Sequence, residues 1–326
     1  MNKGGNPAKS INGCHAIGSK YSPMLIQNAT TDSNFKRISC SLPDMPKRIS
    51  VMNALRQHPY APAETRPARI EAALPPARTI QYGPAPSQAA ELYLPDLPHP
   101  PVICLLHGGW WRMPYGRDQM EAVARDLAGR GYAVWNIGYR RLGEPGGGWP
   151  GTFEDAAAAL DHLAVLADEG LDIDLCRIVA VGHSAGGQLA LWLASGRAAR
   201  RIRPIAAAGL AAASDLARIH ALDPANSVIA ELLGGAPGEQ AVRYRTVSPA
   251  ELLPLGAEQL LIHGHDDELL PAQISRDYAQ AARQEKDDVQ CTLLSATGHK
   301  DFLDPHGEAH AVLCNWLEMF LARNVS

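Results

Sequence analysis

The stretch that most constrains the fold is residues 179–190, where a short apolar run meets glycines, a serine and a helical pattern. The β-branched residues at 178–181 predict a buried strand, and the leucines and tryptophan after Gly187 predict a helix. Residues 182–186 between them fit the pattern G-x-S-x-G. A sharp strand-to-helix turn crowds its corner, so glycines on both sides remove Cβ atoms that would clash. The pattern predicts that Ser184 is exposed above a sheet, at a helix N-terminus that favours developing negative charge.

The rest of the chain alternates between apolar runs and amphipathic segments. The continuous apolar run at 101–107 is typical of a central strand covered on both faces, and residues 118–132 carry apolar residues at helical spacing. Residues 78–82 and 90–94 flank a Gly-Pro turn and predict an antiparallel hairpin at a sheet edge. This alternation predicts an α/β fold, with helices on both faces of a mostly parallel central sheet. Further strands are predicted at 132–139, 203–210, 258–263 and 289–294, and further helices at 152–168, 270–284 and around 313–321.

Two segments depart from the alternation. Residues 1–66 are polar and lack a sustained period, so we expect a largely disordered N-terminal extension before an α/β domain at 67–326. Their low arginine content argues against an organelle transit peptide. An alternative is that translation starts at Met52. We expect a chain without residues 1–51 to fold and to be active. Residues 213–255 form an insertion between two core strands, which is either a partial lid or a packed pair of surface helices.

Charge and composition argue against several classes of protein. The net charge is −4 and no basic run is present, which disfavours nucleic-acid binding. No apolar stretch is long enough to span a bilayer, and the N-terminus lacks the apolar core of a secretory signal. The six cysteines include no C-x-x-C pair, which disfavours a zinc or redox motif and indicates buried free thiols. We therefore expect a cytoplasmic protein that acts on a small molecule, with its oligomeric state left open.

Ser184 needs a base, because a free serine hydroxyl is almost wholly protonated at neutral pH. His299 is the best placed of the twelve histidines, since it follows the last predicted strand in a Gly-His turn. Asp267, in the loop after the strand at 258–263, is expected to orient that imidazole, and Asp266 is the alternative acid. The competing interpretation is that these aspartates only cap the helix that follows.

An acyl-transfer site also needs an oxyanion hole, because its tetrahedral intermediate carries a new negative oxygen that backbone N–H groups must face. The glycines after the strand at 101–107 would let that loop turn its amides inward, although a plain two-glycine turn is the alternative. Trp111 is expected to help wall the substrate pocket, and His183, which as a base would point away from Ser184, is a further candidate lining residue. The predicted oxyanion donors are the amides of Gly108, Gly109, Trp110 and Ala185.

Four motifs in combination resemble the α/β-hydrolase superfamily, and within it the hormone-sensitive-lipase-like esterases and the kynurenine formamidases. The motifs are His107-Gly108-Gly109-Trp110-Trp111, Gly182-His183-Ser184-Ala185-Gly186-Gly187, His263-Gly264-His265-Asp266-Asp267 and Gly298-His299. The resemblance covers about residues 78–322 and shares the superfamily's chain order of serine, acid and histidine. It implies Ser184 as nucleophile, His299 as base and Asp267 as the orienting acid. Trp110 stands where the esterases usually carry a third glycine, which is closer to the formamidases.

Together these observations predict a serine hydrolase that cleaves a small carboxylic ester or an aryl formamide through an acyl-enzyme. No metal and no organic cofactor is expected. The alternative is a non-catalytic protein of the same fold that binds a small ligand. A fluorophosphonate probe distinguishes the two, because it labels an activated serine and leaves a simple binding pocket unlabelled.

Overall fold

Eight strands form one sheet at the centre of a computed structural model, which describes residues 77–197 and 201–324. Along the chain they are β1 (Arg78–Gln81), β2 (Ala89–Tyr93), β3 (Pro101–Leu106), β4 (Ala133–Ile137), β5 (Asp174–His183), β6 (Ala206–Leu210), β7 (Glu258–Gly264) and β8 (Val289–Leu294). Their order across the sheet is β1-β2-β4-β3-β5-β6-β7-β8. The pairs β1/β2 and β2/β4 are antiparallel, and every other neighbouring pair is parallel. The predicted edge hairpin and the predicted mostly parallel α/β sheet are thus confirmed.

The observed strands match the predicted ones with shifted ends. The largest extension is at β5, where the apolar run predicts only residues 178–181 but the strand begins at Asp174. Its early residues are partly exposed and pair with β3 through a register shift beside Pro101, so apolar periodicity does not mark them. The predicted extension at residues 1–66 lies outside the described residues.

Eight α-helices connect the strands in the described part of the chain. They are α1 (Glu121–Gly129), α2 (Gly151–Asp168), α3 (Ala185–Ala194), α4 (Leu216–Leu222), α5 (Val228–Leu233), α6 (Ala241–Val247), α7 (Gln273–Gln284) and α8 (Glu308–Arg323). The helix predicted over residues 118–132 is α1 preceded by one 3₁₀ turn, Arg117–Met120. A shorter 3₁₀ turn, Asp301–Leu303, precedes α8.

The sheet separates two apolar cores, and β3 shows how. Val102, Cys104 and Leu106 face a core formed with α2, α3 and α7, whereas Ile103 and Leu105 face a second core formed with α1 and α8. This alternation follows from the two-residue period of a strand. With both faces covered by helices, the loops at the carboxyl ends of the parallel strands are left to form a site.

The insertion at residues 213–255 packs against the first core. Several of its apolar side chains, among them Leu216, Ile229 and Val247, are fully buried there. The Leu216 N–H donates to Ser248 Oγ at 3.1 Å, which joins the two ends of the insertion. None of its residues borders the cavity described below. The contacts favour packed helices over a lid.

The cysteines of the described residues divide into two groups. Cys104 and Cys314 are buried free thiols, as the sequence predicts, whereas Cys291 is a free thiol that is only half-buried. Cys176 is disulfide-bonded, so the prediction of a free thiol is wrong for this residue. Among the described helices, none combines the length and apolar character that crossing a membrane requires.

Candidate active site

The turn between β5 and α3 holds Ser184 in a strained conformation. Its φ is +55° and its ψ is −115°, a region that costs a non-glycine residue about 1–3 kcal/mol. A Cβ on Gly182 would lie 2.0 Å from the carbonyl oxygen of Gly186, and one on Gly186 would lie 2.2 Å from that of Leu106. We call residues 182–187 the nucleophile turn. Its backbone is packed so closely that these two positions require glycine, as the G-x-S-x-G pattern predicts.

Ser184, His299 and Asp267 lie in hydrogen-bonding contact at the carboxyl ends of β5, β8 and β7. Ser184 Oγ is 2.9 Å from His299 Nε2, and His299 Nδ1 is 2.7 Å from Asp267 Oδ2. Because an ionised carboxylate only accepts, Nδ1 carries the proton, and Nε2 is left to accept the serine hydroxyl. All three side chains are buried. The arrangement can pass the Ser184 proton to the imidazole.

Asp267 is fixed from several directions. Its Oδ1 accepts hydrogen bonds from the N–H groups of Leu269 and Leu270 at 2.9 and 2.8 Å. Its Oδ2 lies 3.1 Å from His263 Nε2 as well as beside His299. Burial alone would raise the pKa of Asp267, but the hydrogen bonds from the two histidines and the backbone outweigh it and hold the pKa well below its usual range.

The two candidate acids, Asp267 and Asp266, differ in their surroundings. Asp267 is buried and ionised beside His299, whereas Asp266 is exposed. The backbone N–H of Asp266 donates to the Thr297 carbonyl at 3.1 Å, which ties the acid's loop to the loop that carries His299. The structure therefore places Asp267 at the imidazole, and the alternative residue faces solvent.

The loop after β3 approaches Ser184 with unusual backbone angles. Gly109 and Trp110 have φ values of +100° and +56°. Neither N–H donates to a backbone carbonyl within residues 77–197 and 201–324. Ala185 is the first residue of α3, so its N–H also lacks an acceptor within the helix. Gly108 packs on the nucleophile turn, since a Cβ there would lie 3.2 Å from Ser184 Cβ. Unused amides thus flank the serine, as an oxyanion hole would need.

Trp111 corrects one expectation. Its side chain is fully buried and does not border the cavity, so the prediction that it walls the substrate pocket is wrong. Its indole N–H donates to Gln188 Oε1 at 3.1 Å, and Gln188 Nε2 donates to the Val247 carbonyl of the insertion at 2.8 Å. The hydrogen bond to Gln188 draws the ring into the core beneath α3.

A cavity of about 250 Å³ opens at Ser184 and His299. His183, a predicted lining residue, borders it, and so does Trp110. Sequence reasoning did not find the other wall, where Tyr115 packs against Gly109 and Gln119 is buried with its Nε2 unpaired. Their only signal is that they closely follow the Gly-Gly-Trp loop. The remaining lining residues are Glu268, Leu269, Gly298, Lys300, Asp301 and Leu303.

Two further histidines near Ser184 are held neutral. Burial lowers the pKa of His107 and of His183 to about 3 in each case. His107 stacks on Tyr139 at 4.2 Å between ring centroids, and its Nδ1–H donates to the Gly108 carbonyl at 2.7 Å. These contacts of His107 stabilise the loop after β3.

One cluster of ligand-type side chains lies apart from this site, between α1 and α8. Atoms of Asp126, His310 and Cys314 lie within 4.8 Å of one another. The Arg130 side chain donates to Asp126 Oδ2 at 2.6 Å, and His310 Nε2 contacts the same oxygen at 2.6 Å. The charge of this carboxylate is already balanced, so the cluster is explained as a buried polar contact between two helices.

Comparison with known families identifies the chain. The family profile BD-FAE matches residues 91–281, more than half of the sequence. The chain belongs to the BD-FAE family. Membership places it in the α/β-hydrolase superfamily, as the motifs predict, and the esterase or formamidase branch stays a prediction. No curated protein matches the sequence.

Solved structures share the fold of this BD-FAE member at low sequence identity. A thermophilic esterase from the Planctomycetes species Thermogutta terrifontis matches with a TM-score of 0.62 and 23% identity, covering 76% of this chain and 94% of that one. A truncated carbohydrate esterase from gut microbiota matches with a TM-score of 0.67 and 18% identity, covering 76% of this chain and 96% of that one. A bifunctional GH43-CE protein of Bacteroides eggerthii matches with a TM-score of 0.65 and 21% identity. The match covers 76% of this chain but only 38% of the length of that protein.

Proposed function

We propose that this chain is a serine hydrolase that cleaves small carboxylic esters through an acyl-enzyme. The observation that carries the proposal is a pair of hydrogen-bonding contacts beside a cavity. Ser184 Oγ lies 2.9 Å from His299 Nε2, and His299 Nδ1 lies 2.7 Å from Asp267 Oδ2. Family membership and the esterase fold neighbours support the same reaction class.

In the first half of the proposed reaction, Ser184 Oγ attacks the substrate carbonyl while His299 Nε2 takes its proton. The carbonyl π electrons move to oxygen, and a tetrahedral intermediate forms. His299 then gives the proton to the departing alcohol, and the acyl group stays on Ser184. Asp267 holds the imidazole with Nδ1 protonated and stabilises the imidazolium that forms.

The oxyanion would be stabilised by the amides of Ala185 and of the Gly109–Trp110 loop, which donate to no backbone carbonyl of the described residues. Such donors act strongly because they are already oriented and need no reorganisation when the charge develops. In the second half, His299 removes a proton from water, the hydroxide attacks the acyl carbon, and Ser184 leaves with the proton that His299 returns.

The size of the cavity favours a small substrate. About 250 Å³ lies below the roughly 300–1,000 Å³ of pockets that hold drug-sized ligands. The Thermogutta esterase has been solved with propionate bound and with butyrate bound. We therefore propose short acyl chains as the first substrates for this chain.

An aryl formamide is the second candidate. The aromatic Trp110 borders the cavity at the position where a third glycine is expected in the esterases. Hydrolysis of a formamide would use the same nucleophile, base and oxyanion donors. The acyl group would be formyl, and the leaving group would be an arylamine instead of an alcohol.

The test compares the wild-type chain with Ser184→Ala on p-nitrophenyl acetate, butyrate and octanoate and on N-formylkynurenine. The proposal expects turnover of the acetate and butyrate esters that requires Ser184, and stoichiometric labelling of Ser184 by a fluorophosphonate. Faster formamide hydrolysis would select the second candidate. A wild-type chain that neither turns over these substrates nor takes the label would be a binding protein.

A further inference from the structure

The imidazole of His183 lies between the nucleophile turn and the loop that carries His299. His183 is 4% exposed and directly precedes Ser184. Its Nε2 is 2.8 Å from the backbone carbonyl oxygen of His299, a residue 116 positions later in the chain. The His183 ring also lies 4.8 Å from the His299 ring and 6.0 Å from the Phe302 ring, measured between centroids.

The partner fixes the tautomer of His183. A carbonyl oxygen only accepts hydrogen bonds, so Nε2 carries the proton and donates it. Burial keeps the ring neutral, since it lowers the pKa of His183 to about 3. Nδ1 is then unprotonated, buried and unpaired, and it faces Gly108, where an added Cβ would lie 2.9 Å away. The ring therefore has one hydrogen bond to give, and it gives that bond to the backbone of His299.

We call residues 295–300 the base loop. Its other hydrogen bonds run to its own neighbours or to the acid's loop. Gly298 N–H donates to Asp301 Oδ2 at 2.7 Å, and the Thr297 carbonyl accepts from Asp266. Among the described residues, the hydrogen bonds that join the base loop to the nucleophile turn are those of His183 and of the Ser184–His299 pair itself.

We propose that His183 is a positioning residue, whose Nε2–H holds the His299 backbone at the distance from which its imidazole reaches Ser184 Oγ. The inference rests on the proposed function of Ser184 and His299 and adds a role that neither of them supplies. Asp267 fixes the rotation of the imidazole, whereas His183 fixes the position of the backbone that carries it. A displacement of about 1 Å between reacting groups can cost on the order of 100-fold in rate.

The matched variants are His183→Leu and His183→Gln. Leucine fills similar space without a donor, whereas glutamine can place an N–H near the position of Nε2. We expect His183→Leu to lower kcat on p-nitrophenyl acetate by about 10- to 100-fold with little change in KM. The rate of fluorophosphonate labelling should fall in parallel, and His183→Gln should recover most of both losses.

The readouts separate positioning from a merely structural role. Concentrations are taken from active-site titration, so a loss of folded protein does not count as a loss of kcat. If His183→Leu lowers the melting temperature but keeps the wild-type kcat and labelling rate, positioning is overturned. If His183→Gln loses as much kcat as His183→Leu, the hydrogen bond is not the cause and the proposal fails.

Two controls keep the outcome decisive. Should His183→Leu not fold, His183→Asn replaces it, because its shorter amide stops before the His299 carbonyl. A wild-type chain whose turnover does not depend on Ser184 would overturn the proposed function, and the role of His183 with it. An active, Ser184-dependent wild type with unaffected His183 variants would overturn the positioning role alone.

Discussion

The nucleophile turn and the base loop meet at two hydrogen bonds, but they are held in different ways. In the nucleophile turn, an added Cβ at Gly182 or Gly186 would lie 2.0–2.2 Å from a backbone oxygen. In the base loop, a Cβ at Gly298 would find its nearest neighbour at 3.6 Å. The nucleophile is thus held by close backbone packing. The base is held by two hydrogen bonds: its Nδ1–H donates to Asp267, and its backbone carbonyl accepts from His183. Added side-chain volume should therefore disturb the nucleophile turn, whereas the loss of a hydrogen-bonding group should disturb the base loop.

The largest effect is expected from Ser184→Ala, which removes the nucleophile and leaves the packing of its turn intact. Alanine meets the same backbone strain as serine, so the melting temperature should change little. We expect kcat on p-nitrophenyl acetate to fall on the order of 10⁶-fold, as for a serine nucleophile elsewhere. Turnover near the wild-type rate would remove Ser184 from the reaction.

Asp267→Asn tests the hydrogen bond between His299 and its acid. An amide can donate to Nδ1 and so favours the wrong imidazole tautomer, and kcat should fall on the order of 10⁴-fold. Asp266→Asn is the matched control, because the neighbouring side chain is exposed, and it should keep the wild-type kcat. Equal losses in the two variants would contradict the assignment of the acid.

A pair of glycine substitutions tests the contrast in packing. Gly186→Ala forces a Cβ to within 2.2 Å of the Leu106 carbonyl oxygen, so we expect it to lose about 3 kcal/mol or more of unfolding free energy. Gly298→Ala meets only ordinary contacts and should stay within about 0.5 kcal/mol of the wild type. Urea unfolding measures both, and similar losses would remove the distinction between the two regions.

The smallest effect is a pH dependence of stability. His107 and His183 have folded pKa values of about 3 because of burial, against about 6.5 when unfolded. Between these values the unfolded chain binds protons that the folded chain excludes, so stability is lost as pH falls. Each histidine should contribute about 1.4 kcal/mol per pH unit.

Urea unfolding of the wild type and of His183→Gln at pH 6 and pH 5 checks this expectation. The variant lacks one of the two imidazoles whose pKa burial lowers to about 3, so its loss of unfolding free energy over that unit should be smaller by about 1.4 kcal/mol. Identical losses would show that His183 is not excluded from protonation in the folded chain.

Local sterics explain why much of the arrangement could be predicted from the sequence. The glycines around Ser184 serve a turn of a few residues, and His299 and Asp267 follow apolar runs that predict strands ending at the same sheet edge. The proximity of the three side chains follows from parallel pairing. Their chemical roles remain predictions until activity is measured.

Long-range contacts explain what sequence reasoning missed. Trp111 has an aromatic side chain beside the Gly-Gly loop, yet a partner 77 residues away decides that it is buried. His183 was expected to be at most a lining residue, because nothing near it in sequence reveals the carbonyl of His299. Tyr115 and Gln119 reach the cavity only because the chain folds back over Gly109.

The carboxamide of Gln188 has a consequence for protein engineering. One side chain, fully buried one turn after Ser184, braces the indole of Trp111 and is itself anchored to the Val247 carbonyl. Exchanging residues 213–255 for the corresponding part of another hydrolase would replace that anchor. A functional chimera must therefore present a carbonyl acceptor at the same place, or the scaffold beneath Gly109 and Trp110 loosens even though every reacting residue is retained.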